Sequence, residues 1–340
     1  MRGRPKASCE TRARTESSGQ SARDAISVHS LGVKIVPVPA FLKEASHSLF
    51  ELAQLAGIFI VPDHYYVPLT STRTLRATRD EWNHPVDISR LPMTLSGQRD
   101  FLVDKIAGFR GEYIGNSTYK HAVSASAGLG YGYIEAQALH GFVRATKPSR
   151  VIEVGSGVST ICMLHALSLN EAEGAAPAEV TCIEPYPSKA LRDQPVRLIS
   201  SKVEQVDLEV FDSLKSGDLL FIDSSHALRP CGDVQRVYLE IFPRLKSGVL
   251  IHVHDIFIPF PFQRDVDSTF LQWMETALLI AMLNYSSRYE IIMCQSYLHY
   301  ADPGLLGEIF PEYRPASNNG GLAVSASDGH FPSSTYLRVN

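Results

Sequence analysis

Short apolar runs alternate with segments of helical spacing from residue 150 to residue 284, and that alternation limits the fold more than any other property of the chain. "RVIEV" (150–154), "EVTCIEP" (179–185), "PVRLIS" (195–200), "DLLFIDSS" (218–225) and "GVLIHVHDI" (248–256) read as strands. "VSTICMLHALSLN" (158–170), "LEVFDSLK" (208–215), "DVQRVYLEIFPRLK" (233–246) and "STFLQWMETALLIAMLN" (268–284) read as helices. A strand that is apolar along nearly its whole length must be covered on both faces, and strands joined through helices run parallel. The expected fold is α/β, a doubly wound, Rossmann-like, mostly parallel sheet with ligands at the carboxyl ends of its strands.

Upstream of this region, "GYIEAQALHGFVRAT" (132–146) has helical spacing and is ended by Lys147 and Pro148. Residues 31–130 are irregular: "FLKEASHSLFELAQLAGIFI" reads as an amphipathic helix, and "VPDHYYVPLTSTRTL" as an extended stretch broken by prolines. This region is expected to form an N-terminal cap or substrate lid, ahead of a ligand-binding domain over 131–340. Residues 1–30 set Arg2, Arg4, Lys6, Arg12, Arg14 and Arg23 against Glu10, Glu16 and Asp24, with many serines and little to bury, and read as a disordered leader.

The net charge of -4 supplies no basic field for nucleic acid or anionic lipid, so neither partner is expected. No apolar run reaches the roughly 18–20 residues that span a bilayer. Cys9, Cys162, Cys182, Cys231 and Cys294 are scattered, odd in number and free of any CxxC pair, which argues against a disulfide framework or a thiolate zinc site. A cytoplasmic protein with a small-molecule partner is the expectation, and a homo-oligomer is compatible with it.

"VIEVGSGVST" (151–160) breaks from a strand into Gly155 and Gly157, a turn that brings bare backbone close to a ligand. A dinucleotide fingerprint needs a third glycine where this chain has Thr160, and no Walker lysine follows. Acids stand at three strand ends: Glu153, Glu184 and Asp223. Three carboxylates on one edge repel a triphosphate but suit a ligand with a sulfonium, an amine and a ribose diol, the features of S-adenosyl-L-methionine.

At these residues the chain resembles a known family. "VIEVGSGVST", "CIEPYPS", "FIDSSH" with "GDV", and "HVHDIFIPFPF" occur in the order seen in class I S-adenosylmethionine-dependent methyltransferases, in the branch called methyltransferase 24. The resemblance covers about 130–300 and implies a seven-stranded sheet with a reversed last strand, for which "STYLRV" near the end is the candidate. It further implies that Gly155, Ser156 and Gly157 pass under the methionine part of the cofactor, with Glu153 near its amino group. Glu184 would bind the ribose hydroxyls, Asp223 would close the same edge, and "SKVEQV" (201–206) would lie near adenine.

Methyl transfer requires an aligned acceptor and, for a hydroxyl, a base. Candidates crowd two strand ends: Asp223, His226, His252, His254 and Asp255. His254 or His226 is the expected base with Asp223 beside it, whereas His252, deepest in its strand, reads as structural. Alternation along "LIHVHDI" puts His252 and His254 on one face and Asp255 on the other, if the strand continues that far. The layout also resembles that of some catechol- and sugar-directed methyltransferases, which implies a divalent metal on Asp223 and Asp255, with His254 in place of an oxygen ligand disfavouring magnesium and tolerated by manganese, iron or zinc. Tyr131, Tyr133 and His330 are pocket candidates, and Glu135 faces either the cofactor amine or water. The expected activity is O-methylation of a small-molecule, natural-product or sugar-like hydroxyl. The alternatives are a metal-dependent oxygenase or hydrolase built on the same histidines and acids, and a nucleoside-binding module without chemistry.

Overall fold

The computed structural model describes residues 40–64, 66–125, 130–314 and 331–340. The expected leader over 1–30 and His330 lie outside them. The chain forms two compact units, Met1–Pro62 and Asp63–Asn340. The first contains the helix Ala40–Leu55, where helical spacing was expected.

The second unit is built on a seven-stranded sheet: β1 (Arg150–Val154), β2 (Glu179–Ile183), β3 (Arg197–Ile199), β4 (Leu219–Ile222), β5 (Leu250–Val253), β6 (Tyr289–Cys294) and β7 (Thr335–Val339). Their order is β3-β2-β1-β4-β5-β7-β6. The first five are parallel, and β7 runs antiparallel to both β5 and β6. The reversed last strand is the "STYLRV" segment. Order reverses between β1 and β4, and a ligand crevice belongs at that switch point.

Alternate strand residues face opposite layers. Val151, Val180, Leu219, Phe221 and Leu250 join one buried cluster, with the helices Tyr133–Thr146 and Val158–Ala172. Ile152, Val154, Ile183, Leu220, Ile222, Ile251 and Val253 join the other, with the helix Glu275–Tyr285 and the segment 233–245. Burial on both faces explains why these strands are apolar throughout.

Several elements differ from expectation. Helix 208–215 shrinks to Glu209–Asp212. The 233–246 helix holds for Asp233–Arg236, widens to a π turn at Val237–Ile241 and tightens at Phe242–Arg244, where Pro243 has no N–H to donate to an α-helical ladder. The helix expected from 268 starts at Glu275, because the Gln263 side chain accepts from Trp273 N and donates to Leu271 O, holding that approach out of helical form. Strand β6 has no counterpart in the sequence expectation, since its exposure alternates and it carries Glu290. "VPDHYYVPLTSTRTL", expected to be extended, ends in the short helix Thr72–Ala77, capped by Ser71. Within the second unit, residues 83–98 reach the sheet layer: Ile291 N donates to Pro92 O, and Cys294 N donates to the Gln98 side chain. Among the described residues no helix is long and apolar enough to cross a membrane.

Candidate active site

The turn after β1 is shaped by a close approach of two strand ends. Gly155 sits at φ +76°, and a Cβ there would fall 1.6 Å from the Asp223 carbonyl oxygen. Gly155 N donates to Ile183 O, and Asp223 N donates to Val154 O, so the ends of β1, β2 and β4 are tied at this point. Only glycine satisfies both the positive φ and the contact.

A cavity of about 380 Å³ opens over these ends, lined by Gly155, Glu184, Tyr186, Val203, Asp223 and Arg229 among others. That volume suits a nucleoside-sized ligand. Glu184 lies on its wall: Oε1 accepts from Tyr186 N at 2.8 Å, and Oε2 accepts from Ser156 N at 3.3 Å. Each oxygen keeps a lone pair for a further donor. The residues present therefore fit S-adenosyl-L-methionine, with an acid on the cavity wall for a diol and apolar Ile183 and Val203 for a base. A larger depression of about 610 Å³ lies at the opposite edge of the sheet, around Arg150, Glu179 and Arg197, away from every expected site residue.

Glu153 does not line the cavity. It is fully buried, accepting from Ser159 Oγ at 2.7 Å and Thr160 Oγ1 at 2.5 Å, while Thr160 Oγ1 accepts from Gly157 N. Its place near a cofactor amino group is thus corrected: the carboxyl staples β1 to the first turn of the following helix. Burial pushes it up to about 7, partly offset by the Thr160 and Ser159 hydrogen bonds. Thr160, where a dinucleotide fingerprint has glycine, supplies one arm of that staple.

The ends of β4 and β5 carry a different arrangement. β5 stops at Val253; His254 N still donates to Ile222 O, and Asp255 then turns into the left-handed region at φ 53°. Alternation thus fails at Asp255, which swings back beside His254 instead of pointing to the other face. His226, on the loop after β4, is also left-handed at φ 59°. Holding two such residues costs on the order of 1 kcal/mol each and needs strong partners. His254 Nδ1 lies 3.1 Å from Asp223 Oδ1 and 3.6 Å from Asp255 Oδ2. His226 Nε2 lies 3.5 Å from Asp223 Oδ1 and 3.4 Å from Asp255 Oδ2.

The outer ring nitrogens meet two more carboxylates. His254 Nε2 is 3.0 Å from Glu135 Oε2, and His226 Nδ1 is 2.8 Å from Glu275 Oε2; both glutamates are almost wholly buried. Glu135 therefore faces neither cofactor nor water. Its Oε1 accepts from Ser333 N and from the Ser333 and Ser334 hydroxyls, and its Oε2 accepts from Gly132 N. Burial lowers both histidines, but the carboxylates around them outweigh it: His226 rises to about 10, and His254 stands well above the usual range. Burial raises Asp223, yet His254 and His226 hold it well below the usual carboxylate range. Asp255 is pushed up by burial despite the same two histidines. An imidazole held in its charged form can donate a proton but not accept one.

His252 is buried, stacked on Phe221 at 4.1 Å, with Nε2 2.9 Å from Ser334 Oγ and burial holding it well below the usual imidazole range. It stands outside the ion-pair cluster. Tyr131 packs on His254 at 4.9 Å, and Tyr133 begins the next helix beside Tyr119. Three contributors escaped sequence reasoning. Asp233, in the "GDV" motif, accepts from Ser225 N and Oγ and fixes the loop that carries His226. Glu275 and Trp273, the latter 4.9 Å from the His226 ring, come from a stretch read as uniform helix. For Glu275 one signal existed: a lone acid opening a very apolar helix.

Residues 152–256 match the family model Methyltransf_24, described as a methyltransferase domain. The chain is similar to an uncharacterized protein of Archaeoglobus fulgidus, 27% identical over 172 residues that cover 47% of this chain and 75% of that protein. Among solved structures it is similar to the Podospora anserina methyltransferase PaMTH1 bound to S-adenosylhomocysteine, at 13% identity and a TM-score of 0.37, covering 83% of this chain and 98% of that one. It is also similar to the plantazolicin methyltransferase BpumL in complex with a triazolic desmethylPZN analog and S-adenosylhomocysteine, at 14% identity and a TM-score of 0.33, covering 73% of this chain and 100% of that one. The matched residues run from β1 to the turn after β5 and so include the strand ends that wall the cavity.

Proposed function

We propose that this chain is a class I S-adenosylmethionine-dependent methyltransferase that methylates a hydroxyl of a small-molecule acceptor, natural-product or sugar-like, in the cytoplasm. The observation that carries the reading is the double position of Asp223: it lines the 380 Å³ cavity and is also a corner of the His254, His226 and Asp255 cluster. Cofactor cavity and proton-handling groups thus share a wall. When bound, S-adenosyl-L-methionine supplies an electrophilic methyl group on a sulfonium. Gly155, Ser156 and Gly157 would receive its methionine part, Glu184 would hold the ribose hydroxyls through its free lone pairs, and Asp223 would border both ligands. His254 and His226 would orient the acceptor hydroxyl, and the carboxylate of Asp223 between them would accept its hydrogen bond and take its proton. A divalent ion held by Asp223 and Asp255 would serve the same end by acidifying a coordinated hydroxyl.

The test has two stages. Calorimetric titration of the full chain with S-adenosyl-L-methionine and S-adenosylhomocysteine should give micromolar binding. Transfer of an isotope-labelled methyl group should then proceed to hydroxyl acceptors and not to their amine counterparts. Cofactor binding with transfer confined to amines would overturn the hydroxyl reading, and no binding of either nucleoside would overturn the site assignment.

A further inference from the structure

We infer that His254 Nδ1, His226 Nε2, Asp223 Oδ1 and Asp255 Oδ2 are the four ligands of a divalent transition-metal centre, with Glu135 and Glu275 as the outer carboxylates that orient its two histidines. This deepens the divalent-ion part of the reading above and rests on it. It adds two histidine ligands and so changes which metal the site selects.

Three observations carry it. The first is distance. Metal bonds of about 2.0–2.2 Å in a tetrahedral site set donor atoms about 3.3–3.6 Å apart. The four histidine–carboxylate separations are 3.1, 3.4, 3.5 and 3.6 Å. Donor atoms of Asp223, His226 and His254 all lie within 4.8 Å of one another, and Asp255, outside that set, completes the four by a shift of its carboxylate toward Asp223.

The second is the direction of each ring. A metal-bound histidine gives its other nitrogen to a carboxylate or carbonyl, which fixes tautomer and orientation. Here each ring has one nitrogen on a buried glutamate, at 3.0 Å for Glu135 and 2.8 Å for Glu275. The remaining nitrogen of each faces the same two aspartates. A pair of ordinary buried ion pairs would not require two histidines to share both aspartates.

The third is charge. Four carboxylates converge on two imidazoles, and among the described residues none of the four pairs with lysine or arginine within 4.0 Å. Burying that many acids calls for a further cation. Two imidazole nitrogens and two carboxylate oxygens suit zinc, cobalt, manganese or iron, whereas magnesium prefers an all-oxygen octahedron.

The experiment uses the full chain, dialysed against chelator and titrated with cobalt(II), zinc and magnesium in the absence of cofactor. The readouts are calorimetry and the visible d–d spectrum of cobalt. One equivalent of cobalt should bind with a four- or five-coordinate spectrum, zinc should displace it, and millimolar magnesium should not. His226→Ala and Asp255→Asn should each abolish that spectrum. Glu275→Gln, which keeps all four ligands, should bind about 10–100-fold more weakly. Glu184→Ala should bind cobalt as the wild type does, so loss of the cofactor site and loss of the metal site are told apart. Absence of a stoichiometric cobalt spectrum in the folded wild type, or an unchanged spectrum in folded His226→Ala and Asp255→Asn, would overturn the inference, as would equal affinity for magnesium.

Discussion

The two halves of the sheet edge handle their acids in opposite ways. At the ends of β1 and β2, Glu153 and Glu184 are met by hydroxyls and backbone N–H groups of neighbouring turns: Ser159, Thr160, Ser156 and Tyr186. At the ends of β4 and β5, Asp223 and Asp255 are met by imidazoles, and those imidazoles are held in turn by Glu135 and Glu275. Neutral donors can satisfy a carboxylate without fixing its charge. Imidazoles tie the charge of every member to the others. The first half is therefore suited to binding and the second to moving protons or holding a cation.

The largest effect should come from breaking the wall between them. Gly155→Ala places a Cβ against the Asp223 carbonyl and forces a positive φ on alanine. The expected loss is about 2–5 kcal/mol of stability, from left-handed strain plus overpacking. Chemical denaturation measures it, and cofactor titration should show binding lost in whatever protein remains folded. Stability within about 0.5 kcal/mol of wild type, a change typical of an unstrained surface site, would mean that the β1–β4 approach is not as tight as described.

The contrast also explains what the sequence disclosed. Glu153, Gly155 and Glu184 were recognisable because their partners lie within one turn or at the next strand end, where period and motif spacing carry information. The sheet was legible for the same reason, since β1 to β5 are apolar on both faces. The second half was legible only in its near members. His226 and Glu275 are 49 residues apart, His254 and Glu135 are 119 apart, and Ser333 reaches Asp255 across 78. No local pattern couples such positions. The left-handed turn at Asp255 was also hidden, because strand alternation gives no warning of where a strand stops.

A second effect, somewhat smaller, isolates Glu153. Its carboxyl is raised to about 7 when folded, against an ordinary value of 4.5. Below 4.5 both folded and unfolded chains hold the proton, and the group adds no pH dependence. As pH rises from 4.5 to 7 the unfolded chain releases it while the folded chain keeps it, so stability falls with pH. The decline approaches 1.4 kcal/mol per pH unit, on the order of 3 kcal/mol in all. Glu153→Gln keeps the shape of the staple and removes the titration. Denaturation curves across pH 4–8 should show the wild type losing stability relative to the variant through that window; parallel curves would show that Glu153 is ionised throughout.

The smallest effect is the most selective. Glu184→Ala removes a partly exposed acid whose two backbone donors can turn to water, so folding stability should change by less than about 0.5 kcal/mol. Cofactor affinity should fall by about 1.5–3 kcal/mol if the carboxylate accepts charge-assisted bonds from a diol. Calorimetry with S-adenosylhomocysteine measures this without an acceptor. 2′-Deoxy and 3′-deoxy forms of the nucleoside refine the test: each should bind the wild type more weakly and the variant almost as well as the parent compound does. Were the variant to discriminate among the three as the wild type does, Glu184 would not be the diol partner, and the comparison would lose its binding half.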